Sequence, residues 1–175
     1  AYRKWYAEQG KLGLQDEPLF PGMLKLLHDL KNNKEFHIGV ATNKSRIALN
    51  NGLKKHNLNN IFDITLTMDE AKAKPDPDMA IQAMSKLNMK KKSTVIVGDT
   101  INDIGLGVNA GINSIGVAWG YNSIEMLRNE GADFIIKNSD KTISVISPYF
   151  GKEIATLVDG VTKLNKLESK PDQSK

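Results

Sequence analysis

The chain has 175 residues, 40% of them hydrophobic and 25% charged, with a net charge of +4. That length suits one domain of ordinary size with a buried core, and the composition is that of a globular rather than a disordered or fibrous protein. The absence of cysteine excludes disulfides and thiol chemistry and fits a cytoplasmic setting, and no apolar run reaches the roughly 20 residues of a membrane span.

In chain order, residues 2 to 9 read as the end of a helix, with Tyr2, Trp5 and Tyr6 on one face. Leu19-Phe20-Pro21-Gly22 is a turn, behind which Met23, Leu24, Leu26, Leu27 and Leu30 recur at helical spacing. His28-Asp29 in that helix has no further histidine nearby and reads as a surface pair, not a metal site. Phe36 to Ala41 is a strand ending at Thr42-Asn43-Lys44; Ile47, Leu49, Leu53 and Leu58 mark a helix, and Phe62 to Leu66 a short strand. Lys74-Pro75-Asp76-Pro77 blocks helix and sheet alike before a helix through Ala80, Ile81, Met84 and Leu87. A strand over Thr94–Val97, a helix to Gly111, a strand over Ser114–Ala118, a helix around Ile124–Asn129 and a short strand over Asp133–Ile136 follow. Strands separated by helices of this length require crossover connections, so the fold class is α/β with a parallel sheet. Farther on, Ile154, Leu157, Val158, Val161 and Leu164 form a stripe at helical spacing, read as a C-terminal helix, and Glu168 to Lys175 is expected to be disordered. The lysine clusters at Lys54-Lys55, at Lys90-Lys91-Lys92 and in the tail read as solvated helix ends. No aromatic platform accompanies them, so neither a nucleic-acid nor a membrane partner is expected.

Chemistry concentrates at strand ends. The β-branched run Thr94-Val95-Ile96-Val97 stops at Gly98-Asp99, and Asp103 follows in the first turn of the next helix. Ligands of open α/β sheets bind beyond the carboxyl ends of the strands. Two carboxylates converging there need a cation between them, and an oxygen-only pair suits Mg2+. The plainer reading makes Asp99 a helix N-cap and Asp103 a first-turn acid. Thr42 and Lys74 carry bland readings as well, a helix cap and a solvated loop lysine. Taken together, a hydroxyl, one fixed cation and an acid pair meet the needs of phosphoryl transfer, which are positioning and charge neutralisation.

From about Leu19 to Ile136 the chain resembles the haloacid dehalogenase-like phosphatases, most closely the phosphoglycolate phosphatase group. The matching segments are Phe20-Pro21-Gly22, Gly39-Val40-Ala41-Thr42-Asn43-Lys44, Lys74-Pro75-Asp76-Pro77, Val97-Gly98-Asp99-Thr100-Ile101-Asn102-Asp103 and Gly131-Ala132-Asp133-Phe134. The resemblance implies a Rossmann-like core, Mg2+ as cofactor and a small phosphorylated metabolite as substrate. It also implies that Thr42 holds a phosphoryl oxygen, with Asn43 and Lys44 binding substrate beside it. Lys74 would stabilise the nucleophile and the developing charge, Asp99 would ligate Mg2+, and Asp103 would orient a metal-bound water or the ion.

That family also uses a nucleophilic aspartate in an Asp-x-Asp-Gly-Thr segment on a central first strand, and residues 1–175 contain no such segment. Asp76-Pro77-Asp78 has the spacing but lies in the proline-rich lysine loop. The expectation is a fragment, inactive alone, with two unpaired strand edges where the first strand would be. A separate N-terminal peptide or self-association would cover those edges. Residues 1–18 would be the end of a helical cap, 19–147 the incomplete core and 148–175 a tail. Within that tail, Phe150 to Leu164 resembles a short piece of the hydrolase domain of the RelA/SpoT family. The rival expectation is a non-catalytic remnant that binds metal or phosphate at most.

Overall fold

The computed structural model describes residues 18–137 in full and residues 154–158 as backbone. Along the chain run α1 (Met23–Asn32), β1 (Phe36–Thr42), α2 (Arg46–Lys55), β2 (Ile64–Thr67), α3 (Asp78–Leu87), β3 (Thr94–Gly98), α4 (Ile101–Ala110), β4 (Asn113–Val117), α5 (Ile124–Glu130), β5 (Phe134–Ile136) and β6 (Ile154–Val158). From α1 to β5 each element falls within a few residues of its sequence-based expectation. The reasons are local. Ser45 and Ser123 cap α2 and α5, accepting from the Ala48 and Met126 N–H groups. Apolar residues then recur at the period of the element that follows.

The strands form one six-stranded sheet in the order β2-β1-β6-β3-β4-β5, and every recorded pairing is parallel. Side chains alternate across it, so neighbours in one strand serve opposite layers. Val95 and Val97 pack with Leu26, Leu27 and Leu30 of α1 and with Ile115. Ile96, between them in sequence, packs instead with Met79, Ala80 and Ala83 of α3 and with Leu106 of α4. Both faces are therefore covered, as a parallel sheet requires, and β3 is buried at every residue.

The C-terminal stripe departs from expectation. Ile154–Val158 is a strand rather than the start of a helix, and it occupies the centre of the sheet. It pairs with β1 from Phe36↔Ile154 to Val40↔Val158 and with β3 from Thr94↔Ala155 to Val97↔Val158. The two unpaired edges expected between these strands are thus closed. The physical reason is non-local: β1 and β3 each present a row of N–H and C=O groups to the same gap, and buried backbone groups demand partners. A segment containing Ile154, Thr156 and Val158 suits a strand and satisfies both ladders at once. The rest of the expected C-terminal helix, the helix over residues 2 to 9 and the tail from Glu168 lie outside the described residues. Among the described residues no helix is long and apolar enough to cross a membrane.

Candidate active site

Because the strands run parallel, their carboxyl ends open on one edge of the sheet. Thr42 is the last residue of β1, Asp99 follows the last residue of β3, and Asp103 lies in the first turn of α4. Lys74 sits in the loop between β2 and α3. All four are buried: Thr42 is 3% exposed, Lys74 5%, Asp99 8% and Asp103 0%.

Lys74 ties the site together. Its ammonium donates to Asp103 Oδ1 at 2.5 Å and to the Ala41 carbonyl at 2.8 Å, next to Thr42. A solvated loop lysine is therefore excluded. An ammonium or a carboxylate alone in this place would cost several kcal/mol of desolvation, roughly, which the pair offsets. Asn43 fixes the lysine's backbone from both sides, its Oδ1 accepting from Lys74 N–H at 2.7 Å and its Nδ2 donating to the Lys74 carbonyl at 3.1 Å. Thr42 Oγ1 accepts from the Lys44 N–H at 3.3 Å, which turns the chain at the end of β1.

The two carboxylates differ in setting. Asp103 Oδ2 accepts from the Thr100 N–H at 2.9 Å and the Thr100 hydroxyl at 2.7 Å, completing a capping box on α4. The helix N-cap is thus Thr100 and not Asp99, while Asp103 combines a first-turn role with the ion pair. Asp99 Oδ2 accepts from the Tyr121 N–H at 2.7 Å, and its carbonyl accepts from the Asn122 N–H at 3.0 Å. Two glycines make room for these acids: a Cβ at Gly98 would overlap the Asp103 side chain, and a Cβ at Gly120 would overlap that of Asp99.

The segment Gly120-Tyr121-Asn122 was not among the residues expected at the site. Its signal was present, since glycine and asparagine form a turn just past the carboxyl end of β4. Asn122 Oδ1 also accepts from the Ile101 N–H at 2.9 Å, joining that turn to the start of α4. Arg46 and Glu70 brace the loops after β1 and β2. Arg46 Nη2 donates to Glu70 Oε2 at 2.7 Å and to the Thr65 carbonyl at 2.9 Å, and Glu70 Oε2 accepts from the Thr67 hydroxyl at 2.8 Å. His28-Asp29 is a surface pair as read: His28 is exposed, and Asp29 accepts from Lys25 at 2.5 Å.

Among the described residues no group of three His, Cys, Asp or Glu side chains is placed to hold a metal. Asp99 and Asp103 nonetheless fit Mg2+, which takes one or two carboxylates and fills its remaining positions with water and phosphate oxygens. Asp99 is the candidate for direct ligation. Asp103, with Oδ1 on Lys74 and Oδ2 on Thr100, suits an outer position.

The sequence profile of the haloacid dehalogenase-like hydrolases matches residues 1–117. The chain is 34% identical over 116 residues to the pyrophosphatase PpaX of Anoxybacillus flavithermus, covering 66% of this chain and 54% of that protein. It is 32% identical over 146 residues to PpaX of Bacillus pumilus, covering 83% and 66%. The chain thus spans between about half and two thirds of the length of these relatives. Among solved structures, a protein assigned as a phosphoglycolate phosphatase from Lactobacillus delbrueckii aligns with a TM-score of 0.66 at 28% identity, over 73% of this chain and 53% of that one. A phosphatase from Clostridium acetobutylicum, so assigned by prediction, aligns with a TM-score of 0.65 at 32% identity, over 73% and 59%.

Proposed function

Because the chain belongs to the haloacid dehalogenase-like hydrolases, we propose that its strand-end site serves Mg2+-dependent hydrolysis of a small phosphomonoester. The observation that carries this reading is the buried Lys74 ammonium, held between the end of β1 and the start of α4. A cation fixed there is organised in advance for a dianionic phosphoryl group and costs no reorganisation when charge develops. Thr42 binds a phosphoryl oxygen, and the backbone around Asn43 and Lys44 lines its approach. Bound Mg2+, held by Asp99 with Asp103 behind it, would supply further neutralisation of phosphate charge.

Asn43 acts in this scheme mainly as a clamp on Lys74, since both ends of its carboxamide are used on that residue's backbone. Phosphoglycolate and pyrophosphate are the substrates that the names of related proteins suggest. The test is phosphate release from phosphoglycolate, pyrophosphate and an aryl phosphate, with and without Mg2+. Asp99→Asn serves as the control for contaminating phosphatase. Mg2+-dependent release that is lost in the variant supports the reading; Mg2+ binding without release favours a non-catalytic remnant.

A further inference from the structure

Asp99 stands one residue beyond β3, and the end of β3 is fixed by its pairing with β4 at Gly98↔Gly116. Beyond Asp99 the chain turns at once into α4, whose first residue is Ile101. One residue of another loop grips this junction on both sides of Thr100. The Asn122 N–H donates to the Asp99 carbonyl at 3.0 Å, and Asn122 Oδ1 accepts from the Ile101 N–H at 2.9 Å. The other end of the carboxamide, Nδ2, lies 3.7 Å from Met126 Sδ in α5. Next to it in the chain, Tyr121 donates its N–H to Asp99 Oδ2 at 2.7 Å. The place of that N–H on the carboxylate is thus tied to the hold of Asn122 on residues 99 and 101.

Neither helix needs Asn122 for its own start. α4 has the capping box of Thr100 and Asp103, and α5 is capped by Ser123, whose Oγ accepts from the Met126 N–H at 3.2 Å. The Ile101 N–H is one of the first amides of α4, which have no partner within the helix. What Asn122 adds is registry between the loop after β4 and residues 99–101. We propose that Asn122 is a positioning residue for the metal site: it fixes Asp99 in the orientation that Mg2+ binding requires. It acts through that carboxylate, not on the substrate. The inference rests on the phosphomonoesterase reading with Asp99 as the direct ligand, and extends it to a residue that neither the lysine loop nor the Asp99–Asp103 segment contains.

The physical ground is the strictness of the ion. Mg2+ demands near-octahedral geometry with short bonds to oxygen, so a carboxylate held loosely binds it poorly. Gly120 packs directly against Asp99, where a Cβ would overlap the acid. The turn therefore restrains Asp99 by contact at Gly120 and by hydrogen bonds from Tyr121 and Asn122. Asn122→Ala keeps the backbone bond to the Asp99 carbonyl but releases Ile101, leaving Asn122's position one tie to the junction in place of two. Asn122→Asp keeps an acceptor of the same reach for the Ile101 N–H, and high salt screens the charge it adds.

The experiment titrates the full chain, Asn122→Ala and Asn122→Asp with Mg2+ alone by calorimetry in high salt. The affinity of Asn122→Ala is expected to fall roughly 10-fold or more, as when a partner that orients a metal ligand is removed. Asn122→Asp is expected to recover most of that loss. A purely structural role would lower the thermal unfolding midpoint and leave the affinity of the folded protein unchanged. That result, or an Asn122→Asp no better than Asn122→Ala, overturns this proposal and leaves the phosphomonoesterase reading standing. A parent chain that binds no Mg2+ overturns both. A second measurement needs no variant: coupling between ion and turn is reciprocal, so saturating Mg2+ is expected to slow hydrogen exchange at the Ile101 amide of the parent. An Ile101 amide indifferent to bound Mg2+ overturns the proposal, whether or not Asn122→Ala folds.

Discussion

Lys74 Nζ and Asp103 Oδ1 lie 2.5 Å apart, with 1% and 0% of their side-chain surfaces exposed. The pair joins a proline-bounded loop to the first turn of α4, and a group buried in this way cannot lose its partner cheaply. Lys74→Met or Asp103→Leu alone is expected to destabilise the fold by about 3–5 kcal/mol, because each leaves the opposite charge unpaired. The double variant should cost markedly less than the sum of the two. Urea unfolding of the four proteins tests this, and strictly additive losses would refute the coupling.

Asn43 should behave as a positioning residue. Asn43→Ala removes two hydrogen bonds to the Lys74 backbone, at a net cost of roughly 1 kcal/mol each. In an active protein kcat should fall more than KM rises, because the lysine loses its aim while the phosphate-binding groups remain. Asn43→Asp keeps the acceptor and loses the donor, so its kcat should fall between those of Asn43→Ala and the parent. A pure rise in KM would instead make Asn43 a substrate contact.

The glycines beneath the carboxylates permit a sharper test. Gly120→Ala would drive a methyl group into Asp99, and Gly98→Ala would drive one into Asp103. Both should weaken Mg2+ binding, Gly120→Ala the more, because Asp99 is the proposed direct ligand. Gly52→Ala is the control: nothing lies within 4 Å of its added Cβ, and alanine in a helix gains about 0.5–1 kcal/mol over glycine. Calorimetric titration of Mg2+ decides the matter, and unchanged affinity in Gly120→Ala would remove Asp99 from the metal site.

These relationships mark where the sequence was legible and where it was not. β3 and the Asp99 that follows it were legible because the strand is buried on both faces, and Val95-Ile96-Val97 runs unbroken into the turn at Gly98. The lysine loop was legible because prolines at 75 and 77 exclude regular structure. By contrast, the hold of Tyr121 on Asp99 spans 22 residues and uses a backbone N–H, which no side-chain pattern announces. The role of Gly98 depends on a helix turn folding back over it. The strand at Ile154–Val158 was hidden for another reason: its apolar spacing suits a helix, and only the gap between β1 and β3 decides the outcome. A short segment with two compatible periods takes the one that tertiary structure rewards.

Acid should weaken the brace beside the site. The Arg46 guanidinium, hydrogen-bonded to Glu70 and helped by the Thr67 hydroxyl and N–H, holds the Glu70 carboxyl down to about 2, from an ordinary 4.5. A carboxyl whose folded value lies below its unfolded one contributes stability that is fully present above the unfolded value. Here that contribution is complete above about pH 4.5 and drains away as the pH falls toward 2. Glu70 is partly exposed, so solvent screens the pair and the effect is modest. The expected result is a lower unfolding midpoint for Glu70→Gln than for the parent at pH 7, with the two curves converging between pH 4.5 and pH 2. Thermal unfolding followed by circular dichroism across that range measures it. Curves that stay parallel would mean that the Arg46–Glu70 contact contributes nothing that titrates, and that the loops after β1 and β2 are held by the Arg46–Thr65 hydrogen bonds instead.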